Sequence, residues 1–426
     1  LGDVYKRQII NQNTNATTRE QVKKNLDNAQ ALDQAMASLD NVVANKNNVL
    51  NSSKYLNEDP KYQQPYDQTI AAAEQLVNQT TNPTLDPNQV DIIKNRVLTA
   101  EDNLHGVKKL DSDKAMAKYD IADMKNLNDA QKQAITQSIN NATLRTEVKQ
   151  LLQQAKDLNS VMKDLKDKTK QTEADKTSPN YTEASDDRKE ALNQALADAQ
   201  AMIDKAHGSN ATHDQVQQVL DKLTQANQNL NGNKRVAEAK TDASNTIDHL
   251  KYLNPSQQQT AKDNVEQATK LAEIDAAKAN AQVLNKSMGQ LQQFINDAQS
   301  VENSDNYRQA DDSKISAYDD ALEQAQAIVQ KNATEDEVKQ AIHQISQAKN
   351  NLNGIARLDE ARPKALDYIN SLDKINNSQK AALIDKVNQS HDLIEINHFV
   401  DDGTNLNDIM HDLAQAIIDN YAPTKL

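Results

Sequence analysis

The feature that most constrains this chain is an internal repeat. A Leu-x3-Met-x2-Leu triplet occurs four times, at Leu32/Met36/Leu39, Leu158/Met162/Leu165, Leu284/Met288/Leu291 and Leu406/Met410/Leu413. The first three methionines are 126 residues apart, and the fourth follows after 122. Self-similarity at a fixed period implies an array of like units in which each packs only on its neighbours. Within every triplet the apolar residues fall four and then three apart on one helical face, so the methionines read as core filler and not as ligands.

The signals between the triplets repeat as well. Asp86-Pro87-Asn88-Gln89, Thr212-His213-Asp214-Gln215 and Thr334-Glu335-Asp336-Glu337 read as capping boxes that open a helix. Those helices are expected to close at Leu104-His105-Gly106, Leu230-Asn231-Gly232 and Leu352-Asn353-Gly354, with each glycine as a left-handed cap and the place of any bend. A further helix is expected from about Ala115 to Met124, and likewise from Ala239 to Leu250 and from Ala361 to Leu372. A second set of N-terminal signatures follows at Asn128–Gln131, Asn254–Gln257 and Asn376–Gln379. The four-residue shortening of the last period lies in the loop before Thr334, the counterpart of Ala206–Ala211.

From Thr143 to Lys170 no Gly or Pro interrupts, which predicts a helix of roughly 42 Å. Its first half belongs to a short three-helix group and its second half to a longer one. A helix shared in this way predicts tandem three-helix bundles forming an all-α, elongated, monomeric rod on the order of 200 Å long. In the first copy the stripe is Val22, Leu26, Ala29, Leu32, Met36 and Leu39, and Pro60 and Pro65 are expected to delay the next helix to about Tyr66–Val77. In the last copy Phe399-Val400-Asp401-Asp402-Gly403 is expected to bend or fray the long helix. Leu1, Asp3, Lys6 and Ile9 superpose on Leu127, Asp129, Lys132 and Ile135, with departures at Gly2 and Tyr5.

Composition narrows the function. A formal charge of −14 argues against a nucleic-acid partner, because phosphate binding needs a basic surface. Without cysteine there are no disulfides and no thiol chemistry. No apolar run is long enough to span a bilayer, and the charged start Leu1–Gln8 is no secretory signal, so the chain reads as an internal fragment. His391 and His398 lie seven apart, two helical turns, which is far for one ion, and they read as surface residues. The acid pairs Asp186-Asp187, Asp311-Asp312 and Asp319-Asp320 read as favouring helix starts and not as a glycosidase pair. Tyr55, Tyr181 and Tyr307 are expected to pack over the bundle end with their hydroxyls in solvent. No catalytic, cofactor-binding or metal-ligating constellation emerges, and no ligand-binding residue can be named.

At this point the residues resemble a known family. Asn180-Tyr181-x2-Ala184 through Ala191-Leu192 to Leu230-Asn231-Gly232, with its counterpart from Asn306-Tyr307, resembles the FIVAR module. Leu127-Asn128-x2-Gln131-Lys132 through Val148 to Leu158 resembles the GA module, a three-helix bundle. Their alternation is similar to the giant staphylococcal extracellular-matrix-binding proteins, of the Ebh and Embp type. On this resemblance residues 1–32 are a partial GA module, and 33–106, 159–232 and 285–354 are FIVAR modules. Residues 107–158 and 233–284 are GA modules, and 355–426 a GA module with the start of the next long helix. The resemblance implies a non-enzymatic adhesin at the bacterial cell surface or wall, an internal piece of a larger anchored protein. Its implied ligand is fibronectin, and the GA name leaves albumin open. The alternative is a mechanical spacer that supports the envelope under osmotic stress.

Overall fold

The computed structural model describes residues 2–421, so the Leu1 superposition lies outside the described residues. Among the described residues every regular element is a helix. The contacts divide the chain into two units, one of residues 1–181 with 185–230 and one of 182–184 with 231–426.

In the first unit, Arg19–Ala44 packs with Pro60–Val77 and Pro87–Asp102 around Leu32, Met36, Leu39, Tyr66, Ile70 and Val97. The next long helix, Arg145–Asp175, has 31 residues. Gly106–Asp123 and Asp129–Asn141 cover its first half, and Asp186–Ile203 and His213–Gln228 its second. In the second unit Leu271–Glu302 does the same for Gly232–Asp248 and Pro255–Gln267 at one end and for Asp312–Gln330 and Glu335–Asn351 at the other. A last bundle joins Gly354–Ser371, Asn377–Gln389 and Leu393–Tyr421. The expected helix sharing is therefore present in both units. Burial of non-directional apolar surface holds each bundle.

Several local expectations are overturned. Gly106, Gly232 and Gly354 are the first residues of the following helices, and no glycine has positive φ among the described residues. The helices expected from Ala115, Ala239 and Ala361 thus begin at these glycines. Close approach, not handedness, selects glycine. A Cβ on Gly106 would lie 2.5 Å from the Lys54 carbonyl and 2.7 Å from that of Ser53. On Gly354 it would strike the carbonyls of Asp305 and Asn306.

The prolines do not delay a helix. Pro60 is the first residue of Pro60–Val77, where its missing N–H costs nothing, and Pro65 sits inside it. Gly403 does not bend Leu393–Tyr421. It is buried where Leu372 and Leu383 would stand 3.2 Å from an added Cβ, the site of Ala155 and Ala281 in the other copies. Asp86 accepts from Asn88 N–H and forms no reciprocal box with Gln89, because its ψ of 108° differs from 165° and 164° at the two threonine boxes. Asp319-Asp320 lies inside Asp312–Gln330, not at its start.

Met36, Met162 and Met288 are core residues; in the fourth triplet Leu406 and Met410 are half-buried against the last core, and Leu413 is 51% exposed. Val22 and Leu26 also face solvent, at 43% and 56%, since no first helix of that short bundle lies against them here.

Candidate functional site

The chemistry of this chain is concentrated at the seams between bundles, where polar side chains are buried in a structure otherwise held by Leu, Ile, Val and Ala. One seam joins each short bundle to the long bundle after it. Asn128 and Gln131 form the expected capping box, with Gln131 N–H on Asn128 Oδ1 at 2.8 Å and Asn128 N–H on Gln131 Oε1 at 3.0 Å. Both side chains have donors left over. Asn128 Nδ2 donates to the carbonyls of Met202 and Ser209, and Gln131 Nε2 to that of Ala211, at 3.3, 2.8 and 3.1 Å. Residues 1% and 0% exposed thus cap one helix and tie down the loop of the next bundle. Gly208 makes room, because a Cβ there would lie 2.6 Å from Asn128 Nδ2.

Asn254 and Gln257 repeat the arrangement on Val329, Lys331 and Ala333. In the first copy Gly2 and Tyr5 stand at these positions, and the buried Tyr5 hydroxyl donates to the Leu76 carbonyl instead. Asn376 and Gln379 complete their box, and Asn376 is exposed.

The second seam joins each long bundle to the next short one. The long helices Arg145–Asp175 and Leu271–Glu302 have Leu144 and Lys270 at the N-cap, neither of which carries a side-chain acceptor. Glu147 and Glu273 reach back to the backbone N–H groups before the helix. The first helical N–H is capped from the preceding bundle. Arg145 N–H donates to Asn57 Oδ1 at 2.8 Å, Leu271 N–H to Glu183 Oε2 at 3.0 Å and Leu393 N–H to Gln309 Oε1 at 2.9 Å. These three acceptors are 126 residues apart. Arg235 and Arg357 add bonds to the carbonyls of Glu183 and Gln309, both at 2.7 Å.

The first of these seams is ionic. Glu58, whose side chain is fully buried, accepts from Lys109, from His105 N–H and from its own neighbour Asp59 N–H. Asp59 also meets Lys109 and Arg145, and Arg145 reaches Asp113 at 2.7 Å. Burial alone would raise the Glu58 pKa; the Lys109 ammonium and the two N–H donors outweigh it and hold the carboxyl below its usual range. At the matching positions Ala184 and Ala310 are buried without charge.

The tyrosine hydroxyls are not left to water. Tyr55 donates to Asp67, Tyr181 to Asn193 and Tyr307 to Asp319, at 2.9, 3.1 and 2.8 Å. The rings of Tyr55 and Tyr307 meet Tyr66 and Tyr318 edge to face. Burial first, and the neighbouring carboxylate second, push Tyr55 and Tyr307 up to about 12. His391 pairs with Asp305 at 2.6 Å, and His398 is exposed on the last long helix. Among the described residues no group of three or more His, Cys, Asp or Glu could hold a metal, and no helix is long and apolar enough to cross a membrane.

The seams coincide with module boundaries recognised by comparison. The FIVAR domain model matches residues 35–105, 161–231 and 287–353, and the GA module model residues 6–35, 107–161, 233–287 and 355–409. The chain is 44% identical over 425 residues to the extracellular matrix-binding protein EbhA of Staphylococcus aureus strain Newman. It is equally similar to the protein ebh of strain NCTC 8325. The chain belongs to this FIVAR–GA repeat family. It spans 12% and 4% of those two relatives' lengths. The crystal structure of the 756–1003 domain of S. aureus EbhA superposes with a TM-score of 0.54 at 28% identity, covering 58% of this chain and 99% of that one. In module terms, Asn128 and Gln131 tie a GA module to the following FIVAR loop, and Asn57, Glu183 and Gln309 cap a GA long helix from the preceding FIVAR module. Sequence reading finds the first set only as helix caps and misses the second, whose partners lie 84 to 88 residues away.

Proposed function

We propose that this chain is a non-enzymatic adhesive stretch of a bacterial surface protein, whose repeated modules each hold host extracellular matrix weakly and together hold it firmly. The reading is carried by the 44% identity that runs without a break through all the modules to proteins named extracellular matrix-binding. Fibronectin is the ligand that the family resemblance implies. Linked weak sites gain affinity through effective concentration without any new contact, provided the geometry lets them engage together. Within each unit the seam bonds support that condition, since they hold neighbouring modules together. The location that goes with this reading is the cell surface, within a larger anchored protein.

A second reading is favoured by the same seams. Trans-capping and buried ties would also suit a spacer that transmits force and binds nothing. The two are separated by binding of the whole chain to immobilised fibronectin, beside albumin, with one-repeat and three-repeat lengths compared. Saturable fibronectin binding that tightens steeply with repeat number supports adhesion. No binding at tens of micromolar makes this stretch a spacer.

A further inference from the structure

If weak sites repeat, their surface must recur at the repeat period. One concavity does so at the second and third of the three GA-to-FIVAR steps. In the first unit it lies between Asp129–Asn141 and Arg145–Asp175 and is closed by the FIVAR loop at Asn210–Thr212, with a volume of about 400 Å³. In the second unit it lies between Pro255–Gln267 and Leu271–Glu302, closed at Asn332–Thr334, with about 430 Å³. Every lining position of the first groove has its counterpart in the second, after the 126-residue shift and the loop deletion.

The lining selects a partner. Its floor is small and apolar, from Ala155 and Leu158 in one copy and Ala281 and Leu284 in the other. Its walls carry amides and hydroxyls, Gln154 and Asn210 in the first, Asn280 and Asn264 in the second. Asp214 closes one groove, and Glu335 and Asp336 the other, while neither lining contains Lys or Arg. Amide side chains bond exposed peptide groups, which an extended segment presents and a helix has already used. A helix about 10 Å across also exceeds a cleft near the lower end of the small-ligand range, roughly 300–1,000 Å³.

We propose that this groove receives an extended, basic segment of a matrix protein in the second and third repeats, as the docking site for the adhesion proposed above, on which it rests. The first repeat has the groove position filled. Leu85 stands where Ala211 and Ala333 stand, packs against the core, and its carbonyl is bridged by Asn28 Nδ2 at 3.1 Å. In the third repeat a rim bond from Asn332 to Thr260 at 2.9 Å joins two exposed or half-exposed side chains and must open for entry.

The test uses the full chain on immobilised fibronectin. Ser138→Tyr with Asn264→Tyr narrows both grooves from exposed, matching wall positions. Asp214→Asn with Asp336→Asn removes one exposed charge from each without touching the core. Binding at least tenfold weaker in the narrowed variant, and several-fold weaker with a shallower salt dependence in the charge variant, is the expected result. Thermal unfolding by circular dichroism checks the fold of both. Wild-type binding that neither variant weakens overturns the groove and leaves matrix adhesion standing. Absence of wild-type binding overturns both together.

Discussion

Glu58 offers the sharpest test of how a seam is held. Its buried carboxylate takes one ammonium and two backbone N–H groups, and one of those N–H groups belongs to His105, the residue before the helix Gly106–Asp123. Glu58→Ala creates the side chain present at Ala184 and Ala310, so volume alone does not forbid it. Breaking a buried ion pair from one side can cost about 3–5 kcal/mol, but Lys109 is 25% exposed and retains Asp59, so it is not stranded. What remains is two N–H donors without an acceptor and the loss of charge-assisted bonds, which together come to about 2 kcal/mol. Hydrogen exchange of the Gly106–Asp123 amides at pH 7 should therefore quicken about 30-fold wherever it proceeds through local opening. The pH dependence has a fixed sign. The folded carboxyl titrates below the ordinary value of 4.5, so its contribution is complete above that pH and disappears as pH falls through the lower folded value. The gap between wild type and variant should then narrow as pH falls below 4.5. A variant within threefold of wild type at pH 7, or a gap that persists in acid, would refute the account of this seam.

Four further outcomes are expected. Asn57→Ala and Gln309→Ala should each destabilise the first turn of the following long helix by about 1 kcal/mol, as for loss of an N-cap, seen as faster exchange of the Arg145 and Leu393 amides. Gln131→Ala should cost about 2 kcal/mol in thermal or denaturant unfolding, because it removes half of a capping box and strands the Ala211 carbonyl, whereas the exposed cap Asn376 changed to Ala should cost no more than about 1. Gly354→Ala should destabilise by about 2 kcal/mol, since the added methyl meets backbone carbonyls that cannot step aside. Gly403→Ala should lie within about 1 kcal/mol of neutral, because the neighbours are flexible leucine tips and alanine favours the helix by a similar amount.

The parts legible in the sequence were those whose causes are local. The capping boxes at Asn128, Asn254, Asn376, Thr212 and Thr334 involve residues three apart, and all five form. The long helices and their sharing between bundles followed from uninterrupted apolar stripes and a fixed period. Several failures occurred where a distant segment decided a local feature. Glycine at the end of a helical stripe reads as a left-handed cap by a local rule, yet at Gly106 and Gly354 the carbonyls of another helix exclude any Cβ. Gly403 reads as a flaw in a helix, yet it completes the packing around Leu372 and Leu383. The trans-caps at Asn57, Glu183 and Gln309 could not be read from neighbours at all, although a polar residue recurring at a period of 126 beside Tyr55, Tyr181 and Tyr307 was the available signal.

Gln131 shows why the seams matter more to this fold than their number of bonds would indicate. As half of a capping box its backbone and carbonyl oxygen serve its own helix, while its remaining amide donor serves the next module. Opening the seam therefore strands a carbonyl in one module and a buried amide donor in the other, which couples the two. The apolar cores cannot do this, because burial is non-directional and many small Leu and Ala surfaces pack acceptably at more than one angle. Within each unit, directional bonds at buried positions favour one arrangement of a module on its neighbour. Tyr5 makes the point by substitution: it lacks the amide, cannot form the box, and still reaches the Leu76 carbonyl that corresponds to the Asn128 acceptor Met202. The tie persists where the cap does not, so joining the modules, more than starting the helix, is the role these positions serve.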